Sequence, residues 1–444
     1  MRINLLFLVL LAHSLGFAQS FSNSPTSYYG IGQFSEPSNA IYTSLGYNAV
    51  VSFDSSQLNT INPTSYSYLS KGNTLFFLGA GGRLSNYTSS TISGSNLRSF
   101  FMLDQYALGF NAMKGFGMAF GLRPFSQKGY YLTQNSFTGI DSLSFTYEGT
   151  GGISEVFYGI GYMPLDMKLL KFSLGVNVGY LFGKASNIRQ SRINGSAFPY
   201  GESRENLRLN ALKIDLSSSL DLSLGKNHRL LLSGIWSPQD LPADLRHVEL
   251  FSTVSIGSDG RPAYQLLQSD TIDVLYSYNK IQAGLNYSLS LPKWKIQNKE
   301  IHPQVDVYFS YANQSTSLNY GFFGMKSVYF MSESYRAGIQ FKPERNLFEN
   351  LSILRFHEKL NYRVGYYTKS ITLNNQQYSD YGITFGFGLP TLIQRSLSSV
   401  NLSFQLGMNT KENDGLKERY GAIQLGIVFA PSSFEKWFRK RKLD

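Results

Sequence analysis

The sequence predicts an all-β fold, a transmembrane antiparallel β-barrel of about 14 strands with an N-terminal hatch inside the lumen. Three observations carry this: long period-two alternation, an export leader, and a composition rich in aromatics and glycine but poor in charge. In "KFSLGVNVGYLFGK", which begins at Lys171, Phe172, Leu174, Val176, Val178, Tyr180 and Phe182 share one face. Ser173, Gly175, Asn177, Gly179, Leu181 and Gly183 form the other. Such alternation marks a strand with a single apolar face. The 444 residues include 30 Tyr, 33 Phe and 41 Gly, and only 16% are charged, against about 25% in a typical soluble domain. This balance suits twisted sheets better than helices.

In chain order, residues 1–18 read as a signal peptide. Arg2 supplies the positive start, Leu5 to Leu11 the apolar core, and Gly16-Phe17-Ala18 the small-x-small cleavage pattern. The apolar run is too short to span a bilayer, which takes about 20 residues. Residues 19–70 lack the alternation and are rich in Ser, Asn, Gly and Tyr. They are expected to form a compact hatch, with a short helix around Asn39 to Leu45. Residues 71–430 form the barrel, with strands expected near 73–92, 96–112, 115–135, 142–163, 169–190, 203–224 and 228–253. Seven more are expected near 270–290, 301–319, 328–342, 350–371, 378–389, 396–410 and 418–430. "EGTGG" is a point where the fourth of these could split in two. The connections "MKG", "PLDMK" and "GKNH" are tight, whereas several on the opposite side are longer and polar, as in outer-membrane barrels. Residues 431–444, "PSSFEKWFRKRKLD", read as a basic periplasmic tail.

Lipid is the better cover for the apolar faces. Sandwich strands average about 5–6 residues, whereas these segments have the length needed to cross a bilayer at a tilt. Closure would pair every backbone group at membrane depth.

Cysteine is absent, which excludes disulfides and thiolate chemistry. The formal charge of +11 comes from scattered basic residues, so anionic lipid headgroups or acidic small molecules fit as partners and nucleic acid does not. His13, His228, His247, His302 and His357 show no metal-ligand spacing. No local nucleophile–base arrangement is present, and neither enzymatic activity nor a cofactor or metal is expected.

Two features point to a site. Arg355, His357, Lys359, Arg363 and Lys369 share one strand parity, and the preceding strand offers Arg336. Lipid-facing cations at the bilayer midplane cost about 2–4 kcal/mol, so these are expected on the lumen side or beyond the membrane. Arg336, Arg355, His357 and Arg363 are the candidate substrate-binding residues, since Arg suits capture of a carboxylate. A solvated wall paired with acids such as Asp306 is the plainer alternative. Pro124 lacks an N–H and interrupts the third strand. It marks either a gap in the wall or a bend beyond the membrane.

With about fourteen strands, an N-terminal hatch and Asn62-Pro63-Thr64 just before the first strand, the chain resembles the FadL-type long-chain fatty-acid and hydrophobic-compound transporters of the outer membrane. Thr64 stands where that family's Asn-Pro-Ala motif has Ala. The resemblance implies a Gram-negative outer membrane and passive uptake of hydrophobic or amphiphilic small molecules past the hatch. A structural or secretion-accessory barrel that docks a protein partner in an envelope complex is the alternative, and a general porin a further one.

Overall fold

The structure, a computed structural model, describes residues 25–36, 39–70, 74–88, 95–137, 142–194, 201–256, 262–296, 299–320, 328–345, 354–393, 396–411 and 417–430. The expected signal peptide and basic tail lie outside them. The alternating segments fold as β1 (Thr74–Thr88), β2 (Ser95–Met113), β3 (Phe116–Gln127, resumed at Tyr130–Phe137), β4 (Ser142–Asp166), β5 (Leu170–Asn194), β6 (Gly201–Ser223) and β7 (His228–Ile256). They continue as β8 (Pro262–Ser290), β9 (Gln304–Tyr320), β10 (Val328–Lys342), β11 (Asn361–Leu373), β12 (Gln376–Ile393), β13 (Ser396–Lys411) and β14 (Lys417–Phe429). Each pairs antiparallel with its neighbours, and β14 pairs with β1 from Lys417↔Thr88 to Phe429↔Phe76, which closes a 14-strand barrel.

The barrel is inside-out relative to a soluble domain. Leu174, Val178, Ile214, Ile339, Val364 and Ile383 are exposed on the outer surface, whereas Ser173, Asn177, Asp215, Asn401 and Ser403 are buried toward the lumen. The opening stretch thus turns its apolar face outward, where hydrocarbon covers it. The wall is uneven in height. β7 and β8 each run 29 residues, but β11 and β14 only 13. At about 3.3 Å per residue, the longer strands stand far beyond a hydrocarbon band about 25 Å tall.

Two expectations need correction. The strand expected near 350–371 begins only at Asn361. Phe356–Lys359 is instead a one-turn helix, in which the Glu358 carboxylate accepts from the Arg355 backbone N–H at 2.8 Å. That bond, together with the Glu358 N–H donating to the Arg355 carbonyl, satisfies backbone groups locally, and the chain turns here despite the alternation. The strand expected near 142–163 runs unbroken through "EGTGG" as β4, whereas the one expected near 115–135 is interrupted between Gln127 and Tyr130.

β3 also leaves its neighbour. It pairs with β2 only from Leu122 downward, Tyr106↔Leu122 to Met113↔Phe116. Beyond Pro124, β3 continues along β4 with a register shift between Pro124 and Ser126. Its other edge takes up Gln33 and Phe34, paired with Gln127 and Ser126, and the Phe125 carbonyl accepts from Ser35 N–H. Ser95–Gln105 of β2 therefore pairs with β1 alone.

Candidate functional site

The N-terminal segment lies in the lumen because the wall is shaped for it. Asn62 caps a short 3₁₀ helix, Pro63–Tyr68, with proline at its first position, where a missing N–H costs nothing. The side chain of Asn62 is fully used. Its amide donates to the Val50 carbonyl (2.6 Å) and Ser233 Oγ (2.7 Å), and its oxygen accepts from Thr64 N–H and Oγ1. The threonine that departs from the resembled motif is thus engaged, with its N–H also reaching Ser217 Oγ at 3.3 Å. Asn62→Ala is expected to cost about 1–3 kcal/mol by stranding buried partners. Limited proteolysis would register this as faster cleavage between residues 39 and 70, and unchanged protection would count against the cap.

Beneath this helix, Gly117, Gly161, Gly175 and Ser217 stand side by side on β3, β4, β5 and β6. A Cβ at Gly161 would collide with the Pro63 carbonyl oxygen, and one at Gly175 would lie 2.5 Å from Thr64 N. Glycine inside a strand marks such close backbone approach. The expected helix near Asn39 appears as one turn, Ala40–Thr43, capped by Asn39, and Gly46 N–H donates to Thr384 Oγ1 at 3.0 Å.

Where β2 and β3 part, the segment holds both. Gln105, next to the last β2–β3 pair, donates to Thr60 Oγ1, and Arg123 donates through Nη1 to the Thr60 carbonyl at 2.5 Å. Arg123 also grips Glu155 with two hydrogen bonds (3.0 and 2.8 Å) and reaches Asp215 at 3.3 Å. Lys213 completes the group, 2.6 Å from Asp215 and 3.3 Å from Glu155. Two cations and two carboxylates cancel, as buried charge requires.

Above this network, apolar side chains enter the lumen. Ile31, Phe125, Ile153, Leu181, Leu207 and Leu209 form a buried cluster against which Phe34 packs. Beside it lies a cavity of about 150 Å³, lined by Phe34, Glu36, Arg83, Arg336, Lys369, Glu418 and Tyr420. Phe100 of β2 and Gln127 of β3 both line it, so the two edges of the unpaired stretch border one space.

Of the candidate residues, Arg336 and Arg363 are in the lumen wall and buried. Arg336 donates to Glu36 through Nη2 (3.1 and 3.2 Å) and to the Tyr47 carbonyl through Nη1. Lys369 joins them, 3.2 Å from Glu36. Glu36 lies outside the spanning strands. Burial alone would raise its carboxyl, but Arg336, Lys369 and Lys280 outweigh that and hold it well below the usual carboxylate range. Arg363 donates to Asn401 Oδ1 at 3.0 Å, and its Nε has no hydrogen-bond partner among the described residues. Arg355 and His357 are not part of this wall. They sit exposed at the one-turn helix, which stands where the strand was expected. Asp306 pairs with Lys342, at 3.5 Å. Glu36, Thr60 and the Arg123 network escaped the sequence reading. Their only trace was polar residues of one parity, such as Lys213 and Asp215, which does not name a partner.

An apolar exterior, a polar lumen and an occupied interior define a transmembrane β-barrel of outer-membrane type. The family is narrower: the BamG family model matches residues 1–444, and the chain belongs to the BamG family. In fold it is similar to the Ralstonia pickettii toluene transporter TbuX, with TM-score 0.50 and 8% identity over 88% of this chain and 98% of that chain. The CymD monoaromatic hydrocarbon channel gives 0.48 and 9% over 91% and 99%, and a Pseudomonas aeruginosa FadL homologue 0.45 and 10% over 93% and 98%. The likeness is one of architecture, the FadL-type architecture that the sequence resembled. No curated protein matches the chain in sequence.

Proposed function

We propose that the protein is a passive channel of the Gram-negative outer membrane for hydrophobic or amphiphilic small molecules, with residues 19–70 as its hatch. The molecule crosses between the lumen and the membrane through the unpaired stretch of β2 and β3, with Pro124 as the residue that turns β3 aside. One observation carries this reading: both edges of that stretch line the same cavity, and Gln33–Ser35 of the hatch occupies the vacated edge of β3. The likeness in fold to TbuX, a toluene transporter, supports the same direction.

The natural absence of cysteine allows a clean test. Gln33 and Gln127 are cross-strand partners, a geometry a disulfide can span. Proteoliposomes carrying Gln33→Cys/Gln127→Cys should take up a neutral naphthylamine probe when reduced and fall to the protein-free rate when oxidised. Equal uptake in both states would refute the lateral route. The second reading, a barrel that docks an envelope partner and conducts nothing, draws on the hydrogen bonds that tie the segment to opposite walls, at Ser233, Thr384 and Arg123. It predicts no uptake by the native chain and a stoichiometric complex on purification.

A further inference from the structure

At the end that carries the tight turns, the periplasmic end in outer-membrane barrels, the structure holds a cavity of about 750 Å³. Its wall runs from Lys171 on β5, through the turn between β6 and β7, to Pro390 on β12. Phe53 and Tyr68 of the N-terminal segment line it as well, their rings 5.1 Å apart. Five cations, Lys171, Lys226, Arg229, Lys342 and Arg345, face three carboxylates, Asp54, Asp221 and Glu344. Those carboxylates are already engaged. Asp221 accepts two bonds from Arg229 (2.8 and 2.7 Å), Asp54 lies 3.4 Å from Lys342, and Glu344 accepts from the His302 N–H at 3.2 Å. Lys171 shares Asp166 with Lys114. Lys226 and Arg345 are exposed and meet no carboxylate among the described residues; Arg345 donates to Ser290 Oγ at 3.0 Å. The mouth therefore holds a surplus of positive charge, which draws anions.

We propose that this mouth is a socket for an acidic, extended segment of a periplasmic partner protein. Sign and size select that occupant. Residues 431–444 follow β14 at the same end, but they carry five basic residues against two acidic ones, the wrong sign to fill it. A lone phosphate or carboxylate is too small, since the space is many times the ~30 Å³ share of one water. An entering chain finds hydrogen-bonding groups in Ser223, Ser288 and Asn361 and apolar ground in Phe53 and Pro390. Its carboxylates meet Lys171, Lys226 and Arg345 through charge-assisted hydrogen bonds, and complementary charge sets which partner is accepted. The inference deepens the docking reading given second above, naming the surface and the partner's chemistry, and it does not depend on uptake.

The test uses the full chain in phosphatidylcholine nanodiscs, which present no anionic headgroups. Since the chain has no cysteine, Ser223→Cys carries a single bimane label in the cavity, and Asn227→Cys serves if the first label perturbs the fold. The probe is a synthetic peptide alternating Glu and Ser, with a Gln–Ser peptide as neutral control and inorganic phosphate as the small anion. The acidic peptide should change the bimane emission saturably, and neither control should. Lys226→Gln/Arg345→Gln should weaken that binding about tenfold. Lys293→Gln, an exposed lysine outside the cavity paired with Glu300, should leave it within about twofold. Salt at about 1 M, where the screening length is about 3 Å, should abolish it. No response to the acidic peptide, an equal response to the neutral one, saturation by phosphate alone, or equal losses in the two lysine tests overturns the proposal. A stoichiometric complex on purification with no peptide response rejects this socket while the docking reading stands.

Discussion

Replacing Gly161 with valine is expected to convert a barrel with little conductance into an open pore. Gly161 lies in the row formed with Gly117, Gly175 and Ser217, directly beneath the 3₁₀ helix Pro63–Tyr68. Non-bonded carbon atoms rest about 3.5–4.0 Å apart, and a Cβ here would lie only 2.3 Å from the Pro63 carbonyl oxygen. Valine adds two methyl groups in the same direction. The wall strand is held by pairing on both sides, Gly117 on β3 and Gly175 on β5, so it cannot retreat. The helix must lift instead. Lifting it breaks the contacts of Thr64 with Ser217 and of Asn62 with Ser233. Planar-bilayer recordings should then show large ohmic steps absent from the native chain, together with rapid proteolysis between residues 39 and 70. Native-like silence with native-like protection would mean that the glycine row does not seat the segment.

The second large effect concerns stability. Arg123→Met should lower the stability of the folded barrel by about 3–5 kcal/mol, the usual cost of stranding a buried charge. Arg123, Glu155, Lys213 and Asp215 are all almost fully enclosed, with side-chain exposures of 3–6%. Removing the guanidinium leaves two carboxylates sharing one lysine, and it leaves the Thr60 carbonyl with only the longer bond from Asn177, at 3.5 Å. The temperature at which the compact electrophoretic form is lost should drop markedly. Arg123→Met/Glu155→Gln restores neutrality and should recover much of the loss. A single variant as heat-resistant as the native chain would show that the network is not a stabilising element.

The two predictions concern different links between sequence and structure. Gly175 was readable as a small residue on the polar parity of its strand, but its purpose appears only when register sets it in a row with Gly161. Arg123 precedes Pro124, which was singled out as a break, yet its partners come from two other strands and from Thr60. The basic wall shows the opposite failure. Parity placed Arg336, Arg355, His357 and Arg363 together, but the one-turn helix Phe356–Lys359, whose Glu358 holds the Arg355 N–H, takes two of them out of the strand.

By itself the sequence determined the strands and their apolar exterior. These follow from alternation and local turn chemistry, which act over a few residues. Tertiary structure alone decided that β3 leaves β2 at Leu122, and that Glu36 meets Arg336 across 300 residues of chain. Such pairings depend on strand register and on closure of the ring, which brings distant residues together through backbone hydrogen bonds that carry no signature of their own in the local pattern.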